Sequence, residues 1–223
     1  MPNHVTNIVR IVDAAPSRIQ EIFTQILDHQ GRIDFRRIVP MPKILEGTTS
    51  PNTVNPVECA AETGYASWYE FCNAEWGTKW NAYEQETFYK QVGFRFWHRT
   101  WISNKWDKDH VYRCYPDRIN KKRYKAALKK GGMDSIQFQT AWCIPQPIYE
   151  RLSRLYPDVV FSITYADEDV GSNCGEFKIQ DGTIIDDSNI APPWRTLTEE
   201  EQHKWRKFAC EVIGYEYNPE DYE

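Results

Sequence analysis

The chain has 223 residues and carries 27 Lys and Arg against 32 Asp and Glu, a formal net charge of −5 at pH 7. That length can bury one substantial core, the mild acidity argues against coating nucleic acid with the whole surface, and no apolar run reaches the roughly 20 residues that span a bilayer. The opening residues do not read as a secretory leader and the six cysteines form no C-x-x-C pair, so we expect a cytoplasmic protein with reduced thiols, no membrane partner, no metal and no cofactor.

Residues 5–12 are rich in β-branched side chains and read as a strand. Pro16 opens a helix in which Ile19, Ile22, Phe23, Ile26 and Leu27 form one apolar stripe. Residues 33–39 read as a second strand, stopped by Pro40 and Pro42. Residues 43–64, with Gly47, Pro51, Pro56 and Gly64, read as loop. Helical spacing returns through Trp68, Phe71, Cys72 and Trp76, with Gly77 placed to cap the end.

The composition then changes. Residues 87–130 hold 13 basic residues against three acids (Asp107, Asp109 and Asp117), a net +10, whereas the remainder, 14 against 29, is −15. Within this stretch 94–102 and 110–115 suggest a hairpin, and 120–130 a short basic helix. Beyond it Ile136, Phe138, Thr140 and Trp142 alternate as on a strand, and Pro145 and Pro147 introduce a helix with Ile148, Leu152 and Leu155 on one side. Val159, Phe161, Ile163 and Tyr165 form the next strand. Asp181-Gly182 then suits the type I′ turn of a hairpin between 176–180 and 183–185. Thr198 and Glu201 make a capping box for a last helix that buries Trp205, Phe208, Ala209 and Val212 and ends at Gly214.

Two strand–helix–strand units and a hairpin predict an α+β protein with a ferredoxin-like (split β-α-β) antiparallel sheet and helices on one face. Residues 1–86 and 131–223 are expected to form that core, and 87–130 a basic, aromatic insertion.

The opening M-P-N-H-V-T-N-I (1–8), I-D-F-R-R-I-V-P-M-P (33–42), W-Y-E-F-C (68–72), W-G-T-K-W-N-A (76–82), F-Q-T-A-W (138–142) and Y-A-D-E-D-V-G-S-N-C-G (165–175) resemble the YubB-like ferredoxin-like proteins of plasmids, phages and enterobacterial mobile elements. The resemblance implies the fold and a mobile-element origin, and no settled activity. It names a chain path and not an iron–sulfur cluster, for which the closely spaced thiolates are missing.

No catalytic residue is assigned. His98, His110 and Cys114 are the residue types of a Cys–His dyad, but no oxyanion donor accompanies them. Asp167-Glu168-Asp169 looks superficially like a cation loop, yet three consecutive acids after a strand fit a solvated turn better than an EF-hand. Lys79, beside Trp76 and Trp80, is expected to lay its stem along the indoles and to pair with Asp167 or Glu168. These six residues are the structural or pocket candidates. The binding candidates lie in the insertion: Arg95, Trp97, Arg99, Trp101, Lys105, Arg113, Lys121, Lys122 and Arg123, cations for phosphate or an acidic surface interleaved with aromatic faces for unpaired bases.

The leading expectation is a non-enzymatic accessory protein of a phage or plasmid that binds a host or element-encoded macromolecule, a protein first, with counter-defence as one such role. A nucleic-acid-binding module using the insertion is the second reading. An enzyme of unknown class, built from Asp167, Glu168, Lys79 or His110, is the third.

Overall fold

The computed structural model describes residues 3–27, 32–83 and 135–222. The insertion expected at 87–130, with all nine of its binding candidates and with His98, His110 and Cys114, lies outside the described residues.

Strand β1 (His4–Val12) is followed by helix α1 (Pro16–Ile26), short helices α2 (Pro56–Thr63) and α3 (Trp68–Phe71), and a π-helical turn over Cys72–Trp76. After the gap come β2 (Ser135–Ala141), α4 (Gln146–Leu155), β3 (Val160–Asp167), β4 (Cys174–Gln180), β5 (Thr183–Ile190) and α5 (Glu199–Ile213). The strands form one antiparallel sheet in the order β2-β1-β3-β4-β5. β2, α4 and β3 therefore make a split β-α-β unit with β1 between its strands, as Val5 pairs with Thr140 on one side and Asp167 on the other. Beyond β2, Tyr83 forms an isolated antiparallel bridge with Gln139. This is a ferredoxin-like α+β fold extended by a hairpin at the β3 edge, and its first and last thirds share one sheet.

Alternation sorts the strand residues between two faces. Val5, Val9 and Ile11 of β1, Phe161 and Ile163 of β3, and Phe177 and Ile179 of β4 join Ile22, Phe23 and Ile26 of α1 and Ile148, Tyr149 and Leu152 of α4 in the main core. The structure adds a layer to the single-faced arrangement expected. Ile8, Ala166 and Cys174 point the other way, where Trp205, Ala209 and Val212 of α5 cover them. The helices thus occupy both faces, because α5 has its own apolar stripe and three small or aliphatic residues to receive it.

Several elements differ from the sequence expectation. Residues 33–39 are not a strand. The Asp34 carboxylate accepts from Arg36 N at 3.1 Å, and Asn81 Oδ1 accepts from Phe35 N at 2.9 Å. Those side-chain bonds outcompete a sheet ladder and wind Phe35–Arg37 into a 3₁₀ turn. The 43–64 stretch contains α2, which buries only Cys59 and so shows little periodicity. In α4 the buried face is Ile148, Tyr149, Leu152 and Ser153, which leaves Leu155 exposed. The capping box at Thr198 and Glu201 and the left-handed Asp181-Gly182 pair are as expected. No helix among the described residues is long and apolar enough to cross a membrane.

Candidate functional site

Four of the sequence motifs meet at one end of the sheet, where β1 begins, β2 and β3 end and β4 begins. Pairing of His4 with Ala141, Val5 with Asp167, and Ala166 with Cys174 brings these strand ends together. The fourth motif arrives through Thr78, whose buried hydroxyl donates to Ala141 O and accepts from Ala141 N, both at 3.1 Å. Gly77 makes that approach possible. It sits at φ +73°, and a Cβ there would lie 2.6 Å from Pro147 Cδ.

Trp142 follows β2 with φ +66°, a left-handed conformation that is an outlier for so bulky a side chain. Its N–H donates to Asn3 O at 2.9 Å, and its carbonyl accepts from Asn173 Nδ2 at 3.4 Å. Pinned from both sides, the peptide turns the indole outward, 43% exposed. The alternation of residues 136–142 continues Ile136, Phe138 and Thr140 on to Trp142; the left-handed kink is why the indole leaves that buried row.

Lys79 is brought to this indole and not to the acids. Its Nζ lies 4.9 Å from the Trp80 ring centroid and 5.1 Å from that of Trp142. No ion pair joins it to Asp167 or Glu168, which corrects the pairing expected. The reason is that Asp167 is already satisfied. Its buried carboxylate accepts from Asn3 Nδ2 (3.3 Å), Asn173 Nδ2 (3.0 Å) and Asp169 N (2.9 Å), three neutral donors that hold the loop closed. Trp76 is likewise structural: it is buried and donates from Nε1 to Val39 O at 3.0 Å.

Glu168 and Asp169 are exposed and line a cleft of about 410 Å³ with Val170, Ser172, Trp194 and Arg206. The Arg206 guanidinium lies 4.9 Å from the Trp194 centroid. Lys79, Asp167, Glu168 and Asp169 therefore do not converge on one concavity. His4 Nδ1 is 3.0 Å from Gln139 Oε1, with its ring edge-on to Tyr83. Cys143, next to Trp142, is at the surface, but burial of its sulfur and then the Asp167 carboxylate push the thiol up, away from the thiolate a nucleophile needs.

A second concavity of about 570 Å³ lies between the 35–48 stretch, with its two 3₁₀ turns at Phe35–Arg37 and Lys43–Leu45, and the π turn, lined by Arg36, Met41, Trp68, Trp76, Trp80 and Asn81 among others. Trp80 belongs to both this groove and the Lys79 cluster. Sequence reasoning missed the groove and the roles of Asn3, Thr78, Trp142 and Asn173. The only available signals were W-Y-E-F-C and W-G-T-K-W lying close in sequence, and a Trp just before Cys143-Ile144-Pro145, where a strand must end.

The family model of the ferredoxin-like domain in Api92-like proteins matches residues 123–210, which take in β2 through most of α5. This supports a ferredoxin-like family for that part of the chain. No curated protein and no solved structure gives a significant match.

Proposed function

We propose that the protein is a non-enzymatic binding module whose contact surface is the end of the sheet that carries Trp142, Lys79 and Trp80. The observation that carries this reading is the Trp142 indole, held in water by a left-handed backbone pinned at both its N–H and its carbonyl. Strain of that kind costs on the order of 1–3 kcal/mol and persists where the surroundings over-determine it, most often at binding and catalytic sites. An exposed tryptophan next to a lysine with no counter-ion among the described residues also has the chemistry of an interface anchor. A catalytic reading finds less support, because the Asp167 carboxylate is engaged by neutral donors, Glu168 and Asp169 line a different cleft from Lys79, and burial pushes the neighbouring Cys143 thiol up.

The basic, aromatic 87–130 segment contributes further contacts in this reading, through Arg95, Trp97, Arg99, Trp101, Lys105, Arg113, Lys121, Lys122 and Arg123, on the strength of its sequence charge and aromatic content. The resemblance to plasmid and phage proteins supports reading the module as part of a mobile element, where its role would be to bind a host or element-encoded macromolecule, including one of a defence system. The test is affinity capture from a bacterial lysate with the full chain, with residues 87–130 deleted, and with Trp142→Gly. A specific partner kept by the full chain and lost from both variants is expected. A partner kept by both variants would place the contact elsewhere and end this reading.

A further inference from the structure

We infer that the groove between Trp68 and Trp80 is a slot for an unpaired nucleobase, so that the macromolecule bound is a single-stranded nucleic acid whose phosphate meets Lys79. The inference rests on the binding-module reading and names its partner.

The groove's inner polar groups are already used. Asn81 Oδ1 accepts from Phe35 N and Ala82 N, and its Nδ2 donates to Asp34 Oδ1 at 2.7 Å. Arg36 grips the same carboxylate through Nε and Nη2 at 3.0 and 3.1 Å. Trp76 Nε1 is committed to Val39 O. Thr48 Oγ1 donates to Leu45 O and accepts from Trp68 N. What remains unmet faces outward. Among the described residues nothing accepts from the indole N–H of the half-buried Trp68 or Trp80, and Lys79 has only the two aromatic rings as partners.

A ligand must therefore bring three things: flat faces for the indoles, acceptors for their N–H groups, and negative charge for Lys79. A proline-rich peptide brings the first two and no charge, and an acidic peptide brings charge and no stacking face. A nucleotide strand brings all three, and stacking of unpaired bases on aromatic side chains is how single strands are held without regard to sequence. Glu46 on the lining opposes phosphate, and the exposed Lys43 of the same turn offsets it. Two further observations agree. The groove wall is a π turn, Cys72–Trp76, an irregularity frequent at functional sites. In sequence, that wall and Tyr83 are followed by the 87–130 stretch of net +10, a source of cations for phosphate in a molecule of overall −5.

The experiment is fluorescence anisotropy of labelled oligothymidine and oligouridine of about 12 nucleotides with the full chain, at about 50 and about 200 mM salt. Binding at the lower salt is expected, with quenching of tryptophan emission. Trp68→Leu, and separately Trp80→Leu, should weaken it roughly 5- to 100-fold with little change in salt dependence. Lys79→Gln should instead flatten the salt slope by about 0.7. The leucines keep apolar bulk, and circular dichroism verifies folding. No binding at the lower salt, or binding unchanged in both tryptophan variants, overturns the inference. If the chain captures a protein through Trp142 but binds no oligonucleotide, the inference fails and the binding module stands. If oligonucleotide binding depends on Trp68 and is untouched in Trp142→Gly and in the 87–130 deletion, the groove stands and the proposed surface fails.

Discussion

Tyr149 of α4 donates a 2.7 Å hydrogen bond to Oδ1 of Asn7 in β1, and both side chains are fully buried. The Asn7 amide in turn donates to Val5 O at 2.8 Å and Thr140 Oγ1 at 2.9 Å, so a polar residue in the middle of an interior strand has no unmet group. Tyr149→Phe would leave Asn7 Oδ1 without a donor in a dry core. We expect a loss of about 1–3 kcal/mol in denaturant unfolding. Asn7→Leu combined with Tyr149→Phe should cost less than the two single changes added, because neither partner is then stranded. Additive costs would show that the bond does not couple helix to sheet.

Trp142→Gly separates binding from stability. Glycine adopts φ +66° without strain, and the gain offsets the one lost cation–π contact, with Lys79, worth roughly 0.5–1 kcal/mol at an exposed site. The melting temperature should stay close to that of the parent chain while partner capture disappears. A large fall in melting temperature would mean that the indole supports the fold.

Acid should weaken the turn that forms the groove. Burial alone would push the Asp34 carboxyl up, but hydrogen bonds from Arg36 and Asn81 outweigh it and hold the group below its ordinary range. A depressed carboxyl stabilises the fold fully above its unfolded value of about 3.9, and that contribution is lost as pH falls through the lower folded value. Asp34→Asn should therefore lower the melting temperature at pH 7, and the gap from the parent should close below about pH 4. A gap that is the same at both pH values would contradict this.

Cys143 provides a chemical readout of Asp167. With Cys114 replaced by serine, Cys143 should react with a disulfide reagent at pH 7.5 more slowly than free cysteine, since burial and then the carboxylate both raise its thiol. Asp167→Asn should speed the reaction, followed by peptide mass spectrometry. Slower labelling in that variant would show that the carboxylate does not reach the sulfur.

How far the structure was legible varied with how local the causes were. β2, α4, β3 and the β4–β5 hairpin follow from alternation, a helical stripe and Asp181-Gly182, all encoded within a few residues of where they act. The 33–39 segment misled because Ile33, Phe35 and Val39 are strand-like, while the residue that unmakes the strand, Asn81, is 46 positions away from Phe35. Lys79 was half legible. Its neighbour Trp80 announced the aromatic contact, but its other ring comes from Trp142, and of the two acids expected for it Asp167 is taken by Asn3 and Asn173 while Glu168 lines the separate cleft. Trp68 and Trp80 carried no periodic signal as a pair, since a groove wall obeys neither the strand nor the helix repeat.

The position of β1 bears on how the chain is made. Asn7 and Thr140, hydrogen-bonded in the sheet, are 133 residues apart, and the strand on the other side of β1 is translated later still. While the ribosome is at work, Val5, Val9 and Ile11 wait without either of these flanking strands. Pairing across such distances slows closure of the sheet and leaves an apolar strand open to misassembly or chaperone capture until the stretch ending at Asp167 has emerged.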